Sequence, residues 1–292
     1  MNTLTDSLHR FLFEHSPVRG EWVHLNTAWH TVQKQHDYPP ALRSAMGELM
    51  AAAALLAAML KLEGALILQI QGSGPVSLLV VECDGSLNMR ATAKWSGELA
   101  GQTLAELVGD GRFVITLDPK DGGQTYQGVV ALEGETVAEI LQNYMQRSEQ
   151  IETRLWLAAD ADCAAGFLLQ RLPGQEEPDT DVWPRACQLA ATIKTDELLT
   201  LPAQELLHRL FHEEDIRLFD AQPVSFRCSC SRQNVATMLR MLGRDEVQAI
   251  LDEQDEIEVH CEFCNARYAF DKVDAAAIFS LTASAEPNDT RH

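Results

Sequence analysis

Positive charge is scarce in this chain: 23 lysines and arginines stand against 43 aspartates and glutamates, a formal net charge of −20. A surface of that sign repels phosphate backbones and anionic bilayers, which argues against generic nucleic-acid or lipid binding. The first residues lack a basic patch followed by an apolar core, so no secretory leader is read there. The longest uncharged apolar run, residues 49–60, is twelve residues long and rich in alanine. That is well short of the ~20 that span a bilayer. Also missing are the G-x-S-x-G nucleophile elbow and the Walker phosphate loop. Gly72-Ser-Gly74-Pro75 lacks a third glycine and loses a backbone donor to proline, so it reads as a tight turn. Nothing here requires an active site. The expectation is a soluble, cytoplasmic protein that is not an enzyme.

Hydrophobic residues make up 46% of the 292, ordinary globular usage that excludes wholesale disorder and suffices for a sizeable core. Residues 1–175 read as one α+β domain with a mixed or antiparallel sheet and segregated helices. Asp37-Tyr-Pro39-Pro40 starts a long Ala/Leu/Met helix expected to run to about Leu62, with proline in its first turn. Strands are expected at 65–71, 76–83, 87–95, 113–117, 126–132, 154–159 and 166–172. Asp84-Gly85 predicts a two-residue type I′ hairpin turn, and Thr136-Val-Ala-Glu139 a capping box. The acidic, proline-bearing stretch 173–184 breaks the chain. Residues 176–227 then read as a linker, helical to about Leu218, with an apolar stripe of Leu206, Leu207, Leu210 and Phe211. Residues 228–292 form a small last unit. It should hold a helix with Val235, Met238, Leu239 and Leu242 inward, a second helix from Asp245, strands at 257–259 and 268–270, and a disordered tail of eleven residues.

Seven cysteines are an odd number, and without an export signal they do not read as a disulfide framework. Cys83, Cys163 and Cys187 are isolated and read as small apolar fillers. The other four form two close pairs, Cys228-Ser-Cys230 and Cys261-Glu-Phe-Cys264, thirty residues apart. Two pairs brought together across a loop are the usual way to assemble a tetrahedral Cys₄ zinc site, with sulfurs ~2.3 Å from the metal. C-x-C stands where a zinc ribbon would show C-x-x-C. Zinc keeps its sulfurs as thiolates, the form that oxidants attack. The same residues therefore suit a metal site when reduced and two local disulfides when oxidised. His208 and His212 have a metal-capable spacing, but HRLFH lacks the glutamate of H-E-x-x-H, and the pair reads as solvent-edge histidines.

The pattern Arg227-Cys-Ser-Cys-Ser-Arg232, then thirty residues, then Cys261-Glu-Phe-Cys-Asn265, resembles the heat-shock protein 33 family of redox-regulated holdase chaperones. The likeness continues upstream. Leu198-Leu-Thr-Leu-Pro202 and Leu207-His-Arg-Leu-Phe-His-Glu-Glu214 are similar to that family's linker. Val18-Arg-Gly-Glu21, His36-Asp-Tyr-Pro39, Tyr126-Gln-Gly-Val-Val-Ala-Leu-Glu-Gly134 and Met145-Gln-Arg-Ser-Glu-Gln150 are similar to its core. Gln233 departs from the family's glutamate and leaves all four cysteines intact. The resemblance implies that Cys228, Cys230, Cys261 and Cys264 hold one Zn²⁺ per chain in a reduced, inactive state. It implies that hypochlorite, or peroxide with heat, joins Cys228 to Cys230 and Cys261 to Cys264 and expels the metal. The linker then unfolds, the chain forms a homodimer, and exposed apolar surface holds unfolded client proteins without ATP.

Physical argument supports such a switch. Zinc contributes on the order of 10–16 kcal/mol to metal-folded modules, whereas the core of so small a unit supplies ~3–5 kcal/mol. Residues 176–227 carry five basic and eleven acidic side chains, and residues 228–292 carry six and twelve, so each stretch is at −6 and repels the other. A metastable linker follows, its stripe of Leu206, Leu207, Leu210 and Phe211 covered while the metal is held and offered to clients afterwards. Other functions share the cysteine pattern. A zinc-dependent nucleic-acid-binding protein would need a basic stripe that a unit at −6 lacks. A thiol–disulfide oxidoreductase using Cys261 and Cys264 would set them at the opening of a helix, in basic surroundings. A purely structural zinc module would keep its metal under oxidants.

Overall fold

The computed structural model describes residues 4–60, 63–99, 103–173 and 181–280. Two compact units divide it, Met1–Arg227 and Cys228–His292. The expected tail of eleven residues and most of the 173–184 break lie outside the described residues.

The first unit opens with strands β1 (Ser7–Phe13) and β2 (Val18–Leu25) and helices α1 (Thr27–Gln33) and α2 (Pro40–Met59). Strands β3 (Gly64–Gly72), β4 (Val76–Asp84) and β5 (Asn88–Trp95), the short helix α3 (Leu104–Val108), and strands β6 (Gly111–Pro119) and β7 (Tyr126–Ala131) follow. Helix α4 (Val137–Tyr144) runs on into a π-helical turn at Met145–Glu149, before β8 (Thr153–Ala159) and β9 (Ala164–Arg171). The unit ends with helices α5 (Val182–Ala190), α6 (Thr195–Thr200) and α7 (Ala203–Phe211) and short strands β10 (Ile216–Leu218), β11 (Gln222–Pro223) and β12 (Ser225–Phe226).

Two six-stranded sheets result, where one was expected. The first has the order β10-β1-β2-β9-β8, with β11 beside β1; the second runs β12-β5-β4-β3-β6-β7. All pairings are antiparallel except β12 with β5. Helix α2 lies between the sheets, against β2, β8 and β9 on one side and β3, β4 and β5 on the other. Residues Leu49 to Leu55 are all fully buried. Alanine suits such a helix because small side chains let a sheet close on it from either side. A Cβ at Gly47 would lie 2.5 Å from that of Ala159. Pro40 sits at the first position, where its missing N–H is no loss. By length and composition this helix passes for a membrane span, but most of it is buried within the unit.

Strands β1 and β2 leave no clear signal in the sequence because both of their faces are covered. Leu8, Val23 and Leu25 point to the α2 side, while Phe11, Phe13 and Trp22 point to a second core beneath α5–α7. Local details also differ from expectation. Asp84 and Gly85 do not form a type I′ turn. Left-handed backbone falls at Leu87 (φ +58°), and the Asp84 carboxylate organises the loop by accepting from the amides of Ser86 (2.8 Å) and Asn88 (3.0 Å). The box at Thr136 is half made: its hydroxyl accepts from the Glu139 amide at 3.2 Å, but Glu139 turns back to the amide of Glu135 at 2.7 Å. Gly72 and Gly74 make the expected tight turn, where a Cβ would sit 2.2 and 2.7 Å from Val108 backbone atoms. Helical structure stops at Phe211, and 216–218 is a strand at the edge of the first sheet.

The second unit holds helices α8 (Arg232–Leu242) and α9 (Arg244–Glu253), a hairpin of β13 (Glu256–His260) and β14 (Arg267–Asp271), and a helix not foreseen, α10 (Lys272–Ser280). Among the described residues its core is eight: Ala236, Leu239, Val247, Leu251, Ile257, Phe270, Ala275 and Ile278. The expected inward face of α8 is corrected. Met238 and Leu242 are 46% and 51% exposed, and Ala236 joins Leu239 inside. Arginines at both ends of α8 fix this rotation. Arg232 donates to the Ala269 carbonyl and lies 4.2 Å over the Phe270 ring, while Arg240 donates to the Ile278 carbonyl.

Candidate metal centre

Each cysteine pair is placed by backbone geometry that its neighbours enforce. Cys228 and Cys230 precede α8, whose N-cap Ser231 accepts from the Asn234 amide at 3.1 Å; the Asn234 side chain in turn donates to the Ser229 carbonyl at 3.0 Å. Cys261 and Cys264 occupy the turn of the β13–β14 hairpin. The Cys261 amide donates to the Ala266 carbonyl (3.0 Å), and the Asn265 amide donates to the Cys261 carbonyl (2.8 Å). Asn265 takes the left-handed conformation this requires (φ +54°), which asparagine tolerates better than most side chains.

The four sulfurs all lie within 4.8 Å of one another, with Cys228–Cys261 at 3.6 Å and Cys230–Cys264 at 3.3 Å. A tetrahedron with arms of ~2.3 Å has edges of about 3.8 Å, so the cage has the size a zinc ion needs. Donors converge on the sulfurs as well. The amides of Phe263 and Cys264 face the Cys261 sulfur, the Ala266 amide faces Cys264, and the Tyr268 hydroxyl donates to Cys230 at 3.1 Å. Such donors favour thiolate over thiol. Even so, burial above all, with Cys228 beside Cys261 and the other three sulfurs beside Cys264, holds these two thiols above the ordinary range. A bound cation removes that penalty, and the donor set fits a thiophilic metal.

Sequence patterning gives Tyr268 only as a strand residue and carries no sign of its bond to Cys230. Its own hydroxyl is pushed up to about 12, chiefly by that bond. Tyr268→Phe should keep the hairpin and weaken metal retention by about 10–100-fold, the usual effect of losing a group that supports a ligand. Competition with a chromophoric chelator measures this.

The remaining cysteines belong to the first unit. Cys83 and Cys163 are buried and Cys187 partly so. Burial raises all three thiols, to about 12 at Cys163 and about 11 at Cys187, where Arg154 pulls the other way. These are inert thiols. His208 on α7 and His212 just past its end stand 6.0 Å apart by ring centroid, and among the described residues only the four cysteines form a group of three or more ligands close enough to share an ion. Leu206, Leu207, Leu210 and Phe211 share the inner face of α7 and pack on the first sheet with Phe11, Phe13 and Phe167.

Known proteins are similar to this chain over nearly its whole length. The family model described as Hsp33 protein matches residues 6–271. The 33 kDa chaperonin of Methylobacillus flagellatus is 57% identical over 291 residues, covering 99% of both chains, and that of Chromobacterium violaceum is 50% identical, covering 98% of each. A crystal structure of the 33 kDa chaperonin from Thermotoga maritima shares the fold, with TM-score 0.81 at 20% identity, over 95% of this chain and 99% of that one. On the family match and these identities, this chain belongs to the Hsp33 protein family.

Proposed function

We propose that this chain is an ATP-independent holdase of the cytoplasm whose activity is set by the oxidation state of Cys228, Cys230, Cys261 and Cys264. The observation that carries the reading is the cage itself: four sulfurs within 4.8 Å, in a unit whose own core is only eight residues. Zn²⁺, one per chain, would hold four thiolates there and tie the start of α8 to the hairpin. Each two-electron oxidation takes two thiolates, one hypochlorous acid and one proton to a disulfide, chloride and water; two such steps consume the whole ligand set. The nearest sulfur approaches run between the pairs, yet cysteines one or two residues apart stay close once the unit loosens, which favours Cys228 with Cys230 and Cys261 with Cys264.

In this reading residues 1–175 are the chaperone core, 176–227 the linker and 228–292 the redox unit. A single residue, Arg227, separates the strand Ser225–Phe226 from Cys228, so in this reading unfolding of the second unit loosens the chain right up to the linker's C-terminal end. The stripe of Leu206, Leu207, Leu210 and Phe211, and the aromatic sheet face under it, then become the surface for unfolded clients, and oxidised chains associate as homodimers. The test is light scattering from a heat-unfolding client, with reduced metal-loaded or oxidised protein, and zinc release followed alongside. Suppression by the oxidised form alone, with about one zinc freed per chain, is the expected result. Equal suppression by both forms would mean that the metal is structural, and suppression by neither would remove the chaperone reading.

A further inference from the structure

Besides the pairing of β10 and β11 with β1, the linker meets the first sheet at a buried polar contact on α6. Helix α6 ends at Thr200, so its last carbonyls have no partner within the helix. The Leu199 carbonyl is capped from the sheet instead: His24 Nε2 lies 3.1 Å away and the Cys163 sulfur 3.5 Å away. His24 is 3% exposed and stacks on Trp22 with ring centroids 5.9 Å apart. Since a carbonyl can only accept, Nε2 carries the proton. Nδ1 is buried with no hydrogen-bond partner.

We infer that His24 is a latch on the linker: neutral, it holds α6 to the sheet through Leu199, and protonated, it lets the linker go. This rests on the reading in which linker release exposes the client surface. A second proton would place an N–H at Nδ1 with nothing to receive it. The charged groups around the site do not fill that need. The Asp6 carboxylate accepts from the amides of Asn26 and Ala28, and Asp160 accepts from those of Asp162 and Cys163. His9 stands beyond Trp22, at 5.7 Å between ring centroids. On α6 itself Asp196 is exposed and Glu197 is bound to Arg209 at 2.7 Å. Burial accordingly keeps the imidazole below the ordinary histidine range, against the opposing pull of Leu199, Asp6 and Asp160.

The sign follows from linkage. The released form takes up a proton near the ordinary value of about 6.5 and the docked form only at lower pH, so docking is fully favoured above that range and weakens as pH falls through it. At pH 5.5 the release equilibrium should rise by up to about tenfold. Hydrogen exchange on the full, reduced, zinc-loaded chain tests this, with rates corrected for intrinsic pH dependence and residues 42–57 of α2 as internal reference. Protection of residues 195–211 should fall up to about tenfold from pH 7.5 to 5.5. His24→Gln, which keeps a donor for Leu199 and does not titrate, should abolish the change. Unchanged protection in the wild type, or the same fall in His24→Gln, overturns the latch; metal loss at low pH would act on both proteins alike. If His24→Gln does not fold, the wild-type ring is followed by NMR. A titration that coincides with loss of protection supports the latch, and one that leaves 195–211 protected overturns it. Neither readout uses oxidant or client, so failure here leaves the redox reading intact, and failure of that reading shows only in light scattering.

Discussion

Replacing Cys261 and Cys264 together with serine should melt the second unit and leave the first folded. Serine nearly matches cysteine in volume, so the change falls on ligand chemistry and not on packing. The cage straddles the unit: two sulfurs precede α8 and two sit in the β13–β14 turn. Without a metal, what joins these parts is the eight-residue core and the clamp of Arg232 on Ala269, Phe270 and Asp274. The Arg232–Asp274 pair, at 2.7 Å, has both partners more than 40% exposed and contributes at most ~1 kcal/mol. A core of this size supplies ~3–5 kcal/mol, against on the order of 10 kcal/mol or more from a structural zinc. Hydrogen exchange over residues 232–253 should therefore quicken more than a hundredfold, while residues 42–57 of α2 stay protected. A second unit that keeps its protection without the metal would show that its core suffices, and would deprive oxidation of its structural consequence.

Much of the cage is legible in the sequence alone, because metal ligands announce themselves by residue type and spacing, independently of the fold around them. Two close cysteine pairs in an otherwise cysteine-poor chain mark the site. Period-two alternation does the same for β3 and β5. What stays hidden depends on long-range contacts. β1 and β2 alternate between two cores, so neither face is polar and no period shows. Met238 and Leu242 read as inward because they are apolar at helical spacing, whereas the anchoring arginines, whose partners Ala269 and Ile278 are more than thirty residues away, set the rotation of α8. Asp84 takes over a turn that Asp-Gly suggests, since the bonds to its carboxylate from Ser86 and Asn88 outweigh the preference of glycine for a left-handed position. Tyr268 and His24 matter through a single bond each, across 38 and 175 residues, and no local pattern reports such a bond.

Phe211→Ala should detach α7 from the first sheet without unfolding that sheet. The ring is 2% exposed and sits among Phe13, Phe167 and Phe11 with centroids at 5.0, 6.3 and 6.4 Å. Truncating a phenyl group so enclosed costs about 3–5 kcal/mol. Leu206, Leu207 and Leu210 share that core on the same face of α7, so the cavity opens in the middle of what holds the helix. The linker's ion pairs, Arg209–Glu197 at 2.7 Å and Arg185–Glu214 at 2.6 Å, have arginines more than a third exposed and contribute ~0–1 kcal/mol each. The sheet keeps the eight-residue pairing of β2 with β9 and the whole α2 core on its other face. Exchange should therefore rise over 203–218 and stay slow over 18–25 and 164–171. If this surface is where clients bind, the reduced, metal-loaded variant should also suppress aggregation that the reduced wild type does not. His208→Ala, on the exposed side of the same helix, should change neither. A freed α7 without client holding would separate the two halves of the reading: the linker would be metastable as argued, but its stripe and the aromatic face beneath it would not be the binding surface.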